Sequence, residues 1–179
     1  YVVVRPPGVC PGGIKVNGYY QDYLLKVWDI VSSNNNIKKH SGQVSIELAN
    51  EPVNIYDADS LESARAPYDF FQPIVDKIRA NGFDGIIWVP GTGWQSNYVC
   101  YKNNPIEGYN IGYAVHAYVG WYNCSDENAN GDTFIQEFGK SVPVVETNPV
   151  IITEVDWSPE KEGEGHYDEH GNWVPANWG

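Results

Sequence analysis

Five short apolar runs rich in β-branched residues, separated by segments of helical length, constrain this chain more than any other feature of it. They lie at residues 1–4, 44–49, 85–89, 110–118 and 150–153. The first stops at Pro6-Pro7-Gly8, the second at Asn50-Glu51-Pro52 and the third at Pro90-Gly91, all of them turn or breaker signals. Residues 19–31 place Tyr20, Tyr23, Leu24, Val27, Trp28 and Val31 at spacings of three and four, the period of a helix with one apolar face. Residues 67–80 repeat the pattern with Phe70, Phe71, Ile74, Val75 and Ile78, and residues 133–139 predict a shorter helix. Strands joined by helical crossovers run parallel, and a parallel sheet is covered on both faces, so its strands read as unbroken Val and Ile runs. The predicted fold class is α/β.

In parallel sheets of this kind the polar residues just past the strand carboxyl ends converge on one rim, where sites form. On that reading Arg5, Asn50, Glu51, Trp94, Gln95, His116, Tyr118, Glu154 and Trp157 share a rim although they are spread over the whole sequence. Glu51 and Glu154 stand at the ends of apolar strands, where a carboxylate is costly unless paired or working. A loop-capping role would account for either alone. Both together, with His116-Ala117-Tyr118 closing an intervening strand, point to acid–base chemistry. Cleavage of a glycosidic bond needs such a pair, one group to protonate the leaving oxygen and one to attack or to activate water.

Charge and composition narrow the partners. The chain carries 23 acidic and 11 basic side chains, a formal net charge of −12, which repels a polyanion and argues against nucleic acid. No apolar run approaches the ~18 residues that span a bilayer, so no membrane partner is predicted. The amino terminus lacks the zones of a signal peptide. Across 179 residues there is no methionine, and we expect a preceding segment, with or without a leader. Cys10, Cys100 and Cys124 have no CxxC spacing and read as packing residues, two paired or all three free. Seven Trp and thirteen Tyr suit either stacking against sugar faces or filling a core and its rim.

Asn50-Glu51-Pro52 after one strand, His116-Ala117-Tyr118 on a later one and Thr153-Glu154 on a later one still resemble glycoside hydrolase family five, the large cellulase family of the retaining (β/α)8-barrel clan. Residues 46–54, 88–95 and 110–122 look most like endoglucanase-type members from gut or rumen Bacteroidetes. The resemblance runs through nearly the whole chain, from what would be barrel strand three to the loop after strand seven. It implies a partial (β/α)8 barrel that hydrolyses internal bonds of β-1,4-glucan, with Glu51 as general acid and base and Glu154 as nucleophile. It further implies that Asn50 bonds the sugar 2-hydroxyl, that Tyr118 holds Glu154, and that His116 orients or ionises the pair. A retaining mechanism needs the two carboxyl groups about 5–5.5 Å apart, one protonated and one ionised. Family members often carry a His where Arg5 stands here; Arg5 is read as a contact to substrate or carboxylate, or as a salt-bridge partner. Trp94, Trp121 and Trp157 sit where a platform for a glucose ring would lie, or pack at the rim. The same mechanism on mannan, xylan or xyloglucan, and a non-catalytic sugar-binding fragment, are the competing functions. A secreted, periplasmic or cell-surface location follows from a polymeric substrate.

Two further patterns stand apart from this site. Asp126, Asn128, Asn130, Asp132 and Glu137, with Gly131 at the sixth position, fit a calcium loop, predicting a structural Ca²⁺ away from the chemistry; a solvated turn is the alternative. The group His166, Asp168, Glu169 and His170 matches no two-His ligand spacing and reads as a solvated loop, and Gly91-Thr92-Gly93 reads as a turn. No cofactor is predicted for catalysis. A complete (β/α)8 barrel takes about 250 residues, so we expect either that a second copy or a complementary segment covers the open edges of the five strands, or that the chain is part of a larger protein.

Overall fold

The computed structural model describes residues 1–118, 120–123, 130–156 and 166–174. In chain order these form strands β1 (Val2–Val4) and β2 (Gly13–Lys15), helices α1 (Tyr19–Ser33) and α2 (Asn35–Lys39), strands β3 (Val44–Glu47) and β4 (Asn54–Tyr56), and helix α3 (Ala66–Ala80). Then come β5 (Ile87–Pro90), β6 (Ile111–Tyr118), helix α4 (Gly131–Ser141), β7 (Val150–Asp156), β8 (His166–Tyr167) and β9 (Trp173–Val174). All five predicted strands are present and form one sheet in the order β1-β3-β5-β6-β7, with every neighbouring pair parallel. The sheet is a curled part of a barrel wall. Among the described residues no helix is long and apolar enough to cross a membrane.

The apolar faces of α1 and α3 pack together over the sheet. Leu24, Trp28, Phe70, Phe71, Ile74 and Ile78 are fully buried there against Ile46, Ile87 and Val89. Two buried polar side chains of α1 find carbonyl partners here, as burial requires. The Gln21 amide donates to the carbonyls of Asp69 and Phe70, and the Trp28 indole N–H donates to the Leu48 carbonyl at 2.9 Å. That last bond ties the helical layer to the segment running into Asn50-Glu51.

The connection from β5 to β6 has no α-helix. Tyr98, Tyr101 and Tyr113 cover the sheet there instead, with ring centroids 5.1–6.2 Å apart. Two of the hydroxyls donate to strand carbonyls, Tyr101 to Pro90 and Tyr98 to Ala114. Part of the tyrosine excess is thus core. A second parallel pair, β2 with β4, has no apolar run to mark it, each strand carrying a single Ile in Gly13-Ile14-Lys15 and Asn54-Ile55-Tyr56. It laces together the loops that follow β1 and β3. The predicted fifth strand, 150–153, continues beyond Glu154 to Asp156. The outer strands show apolar side chains to solvent: Val2 is 55% exposed, Ile152 46% and Val155 65%.

One glycine is set by close approach. A Cβ on Gly112 would stand 2.3 Å from the Trp88 ring and 3.0 Å from the Pro149 carbonyl, so the strand passes the indole only without a side chain. Gly112→Ala is expected to destabilise the protein by about 1–3 kcal/mol through overpacking. Urea denaturation checks this; an unchanged midpoint would show that the ring yields freely.

Candidate active site

Local backbone geometry sets the rim. Glu51 follows β3 with φ of 55°, a left-handed conformation unusual for a side chain of this size and a mark of constrained sites. Its N–H donates to Gln95 Oε1 at 2.7 Å. Gln95 is fully buried and itself left-handed, with φ of 61°. Its Nε2 donates to Glu47 Oε1 and to the Ala114 carbonyl, both at 3.0 Å, and its own carbonyl accepts the His116 N–H. Asn50 is held from the other side. Its Oδ1 accepts from Arg5 Nη1 at 3.1 Å, its Nδ2 donates to the Gly8 carbonyl, and its own carbonyl accepts the Cys10 N–H.

Glu154 reaches the site through a register slip. Val115 pairs with Ile152, but the next β6 residue, His116, pairs with Glu154, leaving Thr153 as the extra residue. A regular strand sends consecutive side chains to opposite faces. The slip lets Thr153 and Glu154 both join one network, the kind of re-aiming that bulges perform beside functional sites. Thr153 Oγ1 donates to Glu47 Oε1 at 3.2 Å. Glu154 accepts from the Tyr118 hydroxyl at 2.6 Å and pairs with Arg5 Nη1 at 2.5 Å.

His116 is the hub. Its ring is completely buried, with Nδ1 3.0 Å from Glu51 Oε1 and 3.4 Å from Glu154 Oε2, and Nε2 3.8 Å from Glu47 Oε1. Burial works against protonation of the ring, yet Glu47, Glu51 and Glu154 around it hold its pKa above the ordinary imidazole value. Burial would likewise raise Glu154. Donation by Tyr118 and Arg5, with the positive charge of His116 and Arg5, instead holds it below the ordinary carboxylate range. One carboxylate oxygen from each of Glu51 and Glu154, and a ring nitrogen of His116, lie within 4.8 Å of one another.

The structure therefore brings together Arg5, Asn50, Glu51, Gln95, His116, Tyr118 and Glu154. Arg5 takes both roles left open for it, bonding Asn50 and pairing with Glu154. Trp94 is half exposed on the loop that carries Gln95, and its N–H is fixed to the Pro52 carbonyl. Trp121 packs edge-on against Tyr118, 5.0 Å between centroids. Trp157 lies outside the described residues.

Of the predicted calcium loop, the described residues hold only the part from Asn130 onward. Helix α4 already begins at Gly131, where the loop would still have to be turning around the ion, and the Asn130 side chain is spent capping it by accepting the Asp132 and Thr133 N–H groups. Glu137 pairs with Lys140 at 2.6 Å. Asp132 lies inside the helix, and Asp126 and Asn128 lie outside the described residues, so only part of the proposed donor set is described. The Asp168 group is a hairpin turn between β8 and β9, with Asp168 Oδ1 accepting the N–H groups of His170 and Asn172. Cys10 and Cys100 are free thiols; burial pushes them up to about 11 and about 12, so both stay protonated and serve packing. Cys124 lies outside the described residues.

Residues 14–176 match the family Cellulase (glycosyl hydrolase family 5). The chain belongs to glycosyl hydrolase family 5. It is 28% identical over 154 residues to an endoglucanase of Halalkalibacter akibai, covering 74% of this chain and 19% of that protein. In fold it is similar to the catalytic domain of Thermobifida fusca endoglucanase Cel5A, with a TM-score of 0.63 at 22% identity over 95% of this chain and 50% of the other. A β-glucanase from Saccharophagus degradans gives a TM-score of 0.65 at 21% identity, over 85% and 44%. The T. fusca domain, as a point variant, and the S. degradans enzyme have also been solved with cellotetraose bound. The chain thus spans half or less of the length of these relatives, and its sheet is part of a (β/α)8 barrel.

Two residues of this family 5 rim were not assigned a role from sequence, Glu47 and Gln95. The signal for Glu47 was present, since an acid inside a strand buried on both faces demands partners. Gln95 looked like one polar residue among several in a turn. Gln95→Leu would leave the Glu51 N–H, the Ala114 carbonyl and Glu47 each short of a buried partner. It is expected to cost about 2–4 kcal/mol, measured by denaturant unfolding; a loss under half a kilocalorie would place Gln95 outside the framework.

Proposed function

We propose that this chain carries the catalytic rim of a retaining endo-β-1,4-glucanase, with Glu51 as general acid and base and Glu154 as nucleophile. The supporting observation is the close approach of the two carboxyl groups, within 4.8 Å oxygen to oxygen. An inverting enzyme needs about 6.5–9.5 Å to admit a water between its carboxyl groups, whereas a retaining one needs about 5–5.5 Å.

In the first step ionised Glu154 attacks the anomeric carbon. The glycosidic C–O bond breaks, and the leaving oxygen takes the proton of Glu51. In the second step Glu51 removes a proton from water, which attacks the same carbon and releases Glu154. Tyr118 and Arg5 keep Glu154 ionised for the first step. Asn50, locked by Arg5 and the Gly8 carbonyl, presents its amide toward the sugar 2-hydroxyl, and half-exposed Trp94 offers a face to a glucose ring. The chemistry needs only two carboxyl groups and water, with no organic cofactor.

β-1,4-Glucan is the proposed substrate because the T. fusca and S. degradans enzymes bind cellotetraose and the H. akibai relative is an endoglucanase. A polymer of this size implies work outside the cell, at its surface or in the periplasm. We further propose that additional barrel strands cover the exposed edges of β1 and β7.

Glu51→Gln and Glu154→Gln are each expected to abolish release of reducing sugar from carboxymethylcellulose without unfolding the protein, with mannan and xylan as comparison substrates. Wild-type rates in either variant would overturn the assignment. Tyr118→Phe removes a donor to the ionised form of Glu154, so the carboxyl pKa rises and the acidic limb of kcat/KM moves to higher pH, by about one unit. A shift to lower pH would contradict the charge assignment.

A further inference from the structure

Glu47 is the one acidic group of the cluster that the proposed reaction leaves idle. Its side chain is 1% exposed, a position that a carboxylate occupies only when paired and bonded. Its Oε1 accepts from Gln95 Nε2 and Thr153 Oγ1. Those two donors come from the chain segment that fixes the Glu51 backbone and from the slip that delivers Glu154. His116 Nε2, also buried, has no hydrogen-bond partner among the described residues and looks toward Glu47 Oε1 across 3.8 Å, an ion-pair separation.

We propose that Glu47 is a positioning residue: its buried charge keeps the proton on His116 Nε2, and its bonds to Gln95 and Thr153 lock the ring between Glu51 and Glu154. The inference rests on the reading of those two glutamates as the catalytic pair. The groups facing His116 are Glu47 from β3, Glu51 from the segment after β3, Glu154 from β7 and Tyr118 from its own strand, with Arg5 reaching Glu154 from after β1. With Glu51 holding the proton it must donate, protonated His116 and Arg5 balance ionised Glu47 and Glu154, and the pocket is electrically neutral. Removing the Glu47 charge leaves one cation in excess and weakens proton binding throughout the cluster. His116 then loses its proton at lower pH, consistent with a ring whose pKa is held up by these carboxylates.

The test is Glu47→Gln in the full-length protein. The variant keeps an oxygen for Gln95 and Thr153 and loses only charge. We expect kcat to fall about 10- to 100-fold, the range brought by loss of a group orienting a functional histidine, with KM little changed and the alkaline limb of kcat displaced to lower pH. Glu47→Asp, which keeps the charge, is expected to recover part of kcat. A purely structural role would lower the amount of folded enzyme and leave the limb in place. Nitrogen-15 histidine NMR on the wild type supplies a readout that depends on neither activity nor a variant. It should show His116 protonated at Nε2 and titrating above the ordinary ~6.5. Wild-type kcat and limb in a folded Glu47→Gln protein, or a His116 titrating at or below the ordinary value, would overturn the proposal. If Glu51→Gln and Glu154→Gln still abolished hydrolysis, the catalytic assignment would stand while this inference fell.

Discussion

Charge balance in a confined space is the constraint on which the rest of the rim depends. Three carboxyl groups meet one imidazole and one guanidinium at the carboxyl ends of parallel strands, and the imidazole has no exposed surface. Like charges this close cannot all persist in a low-dielectric setting. The arrangement holds because each acid has a separate means of support. Glu154 has Arg5 and the Tyr118 hydroxyl, Glu47 has Gln95 and Thr153, and Glu51 is positioned through its backbone. Such different environments are what the proposed double displacement asks of neighbouring glutamates.

The scaffold serves that cluster directly. Parallel pairing of β3, β5, β6 and β7 brings their carboxyl ends to one rim. The α1–α3 layer then pins the segment before Glu51 through the Trp28 indole. Precision comes from three irregular features rather than from regular strands: the slip at Thr153, and the left-handed residues Glu51 and Gln95. Each holds an unfavourable local conformation that surrounding hydrogen bonds offset, the usual condition for strain at a working site.

Much of this was legible in the residues. The β-branched runs and helical periodicities located all five strands and α1, α3 and α4, because burial on both faces of a parallel sheet leaves a strong pattern. Glu51 and Glu154 stood out as carboxylates ending apolar strands. The register slip was not legible, since Thr153-Glu154 looks the same in a regular strand. The β2–β4 pair carries one Ile per strand and so no apolar run to read. Glu47 was hidden by its position beside more conspicuous residues. The calcium reading turns on a competition at one residue, since the Asn130 side chain that would suit a cation caps helix α4.

The central claim is that Glu51 and Glu154 act as a retaining pair, and the most direct measurement is the stereochemical course of hydrolysis. Proton NMR of the first product released from a soluble β-1,4-glucan oligosaccharide, recorded before mutarotation, is predicted to show the β-anomer at the new reducing end. An initial α-anomer would mean a single displacement through water, and it would contradict the account at its foundation.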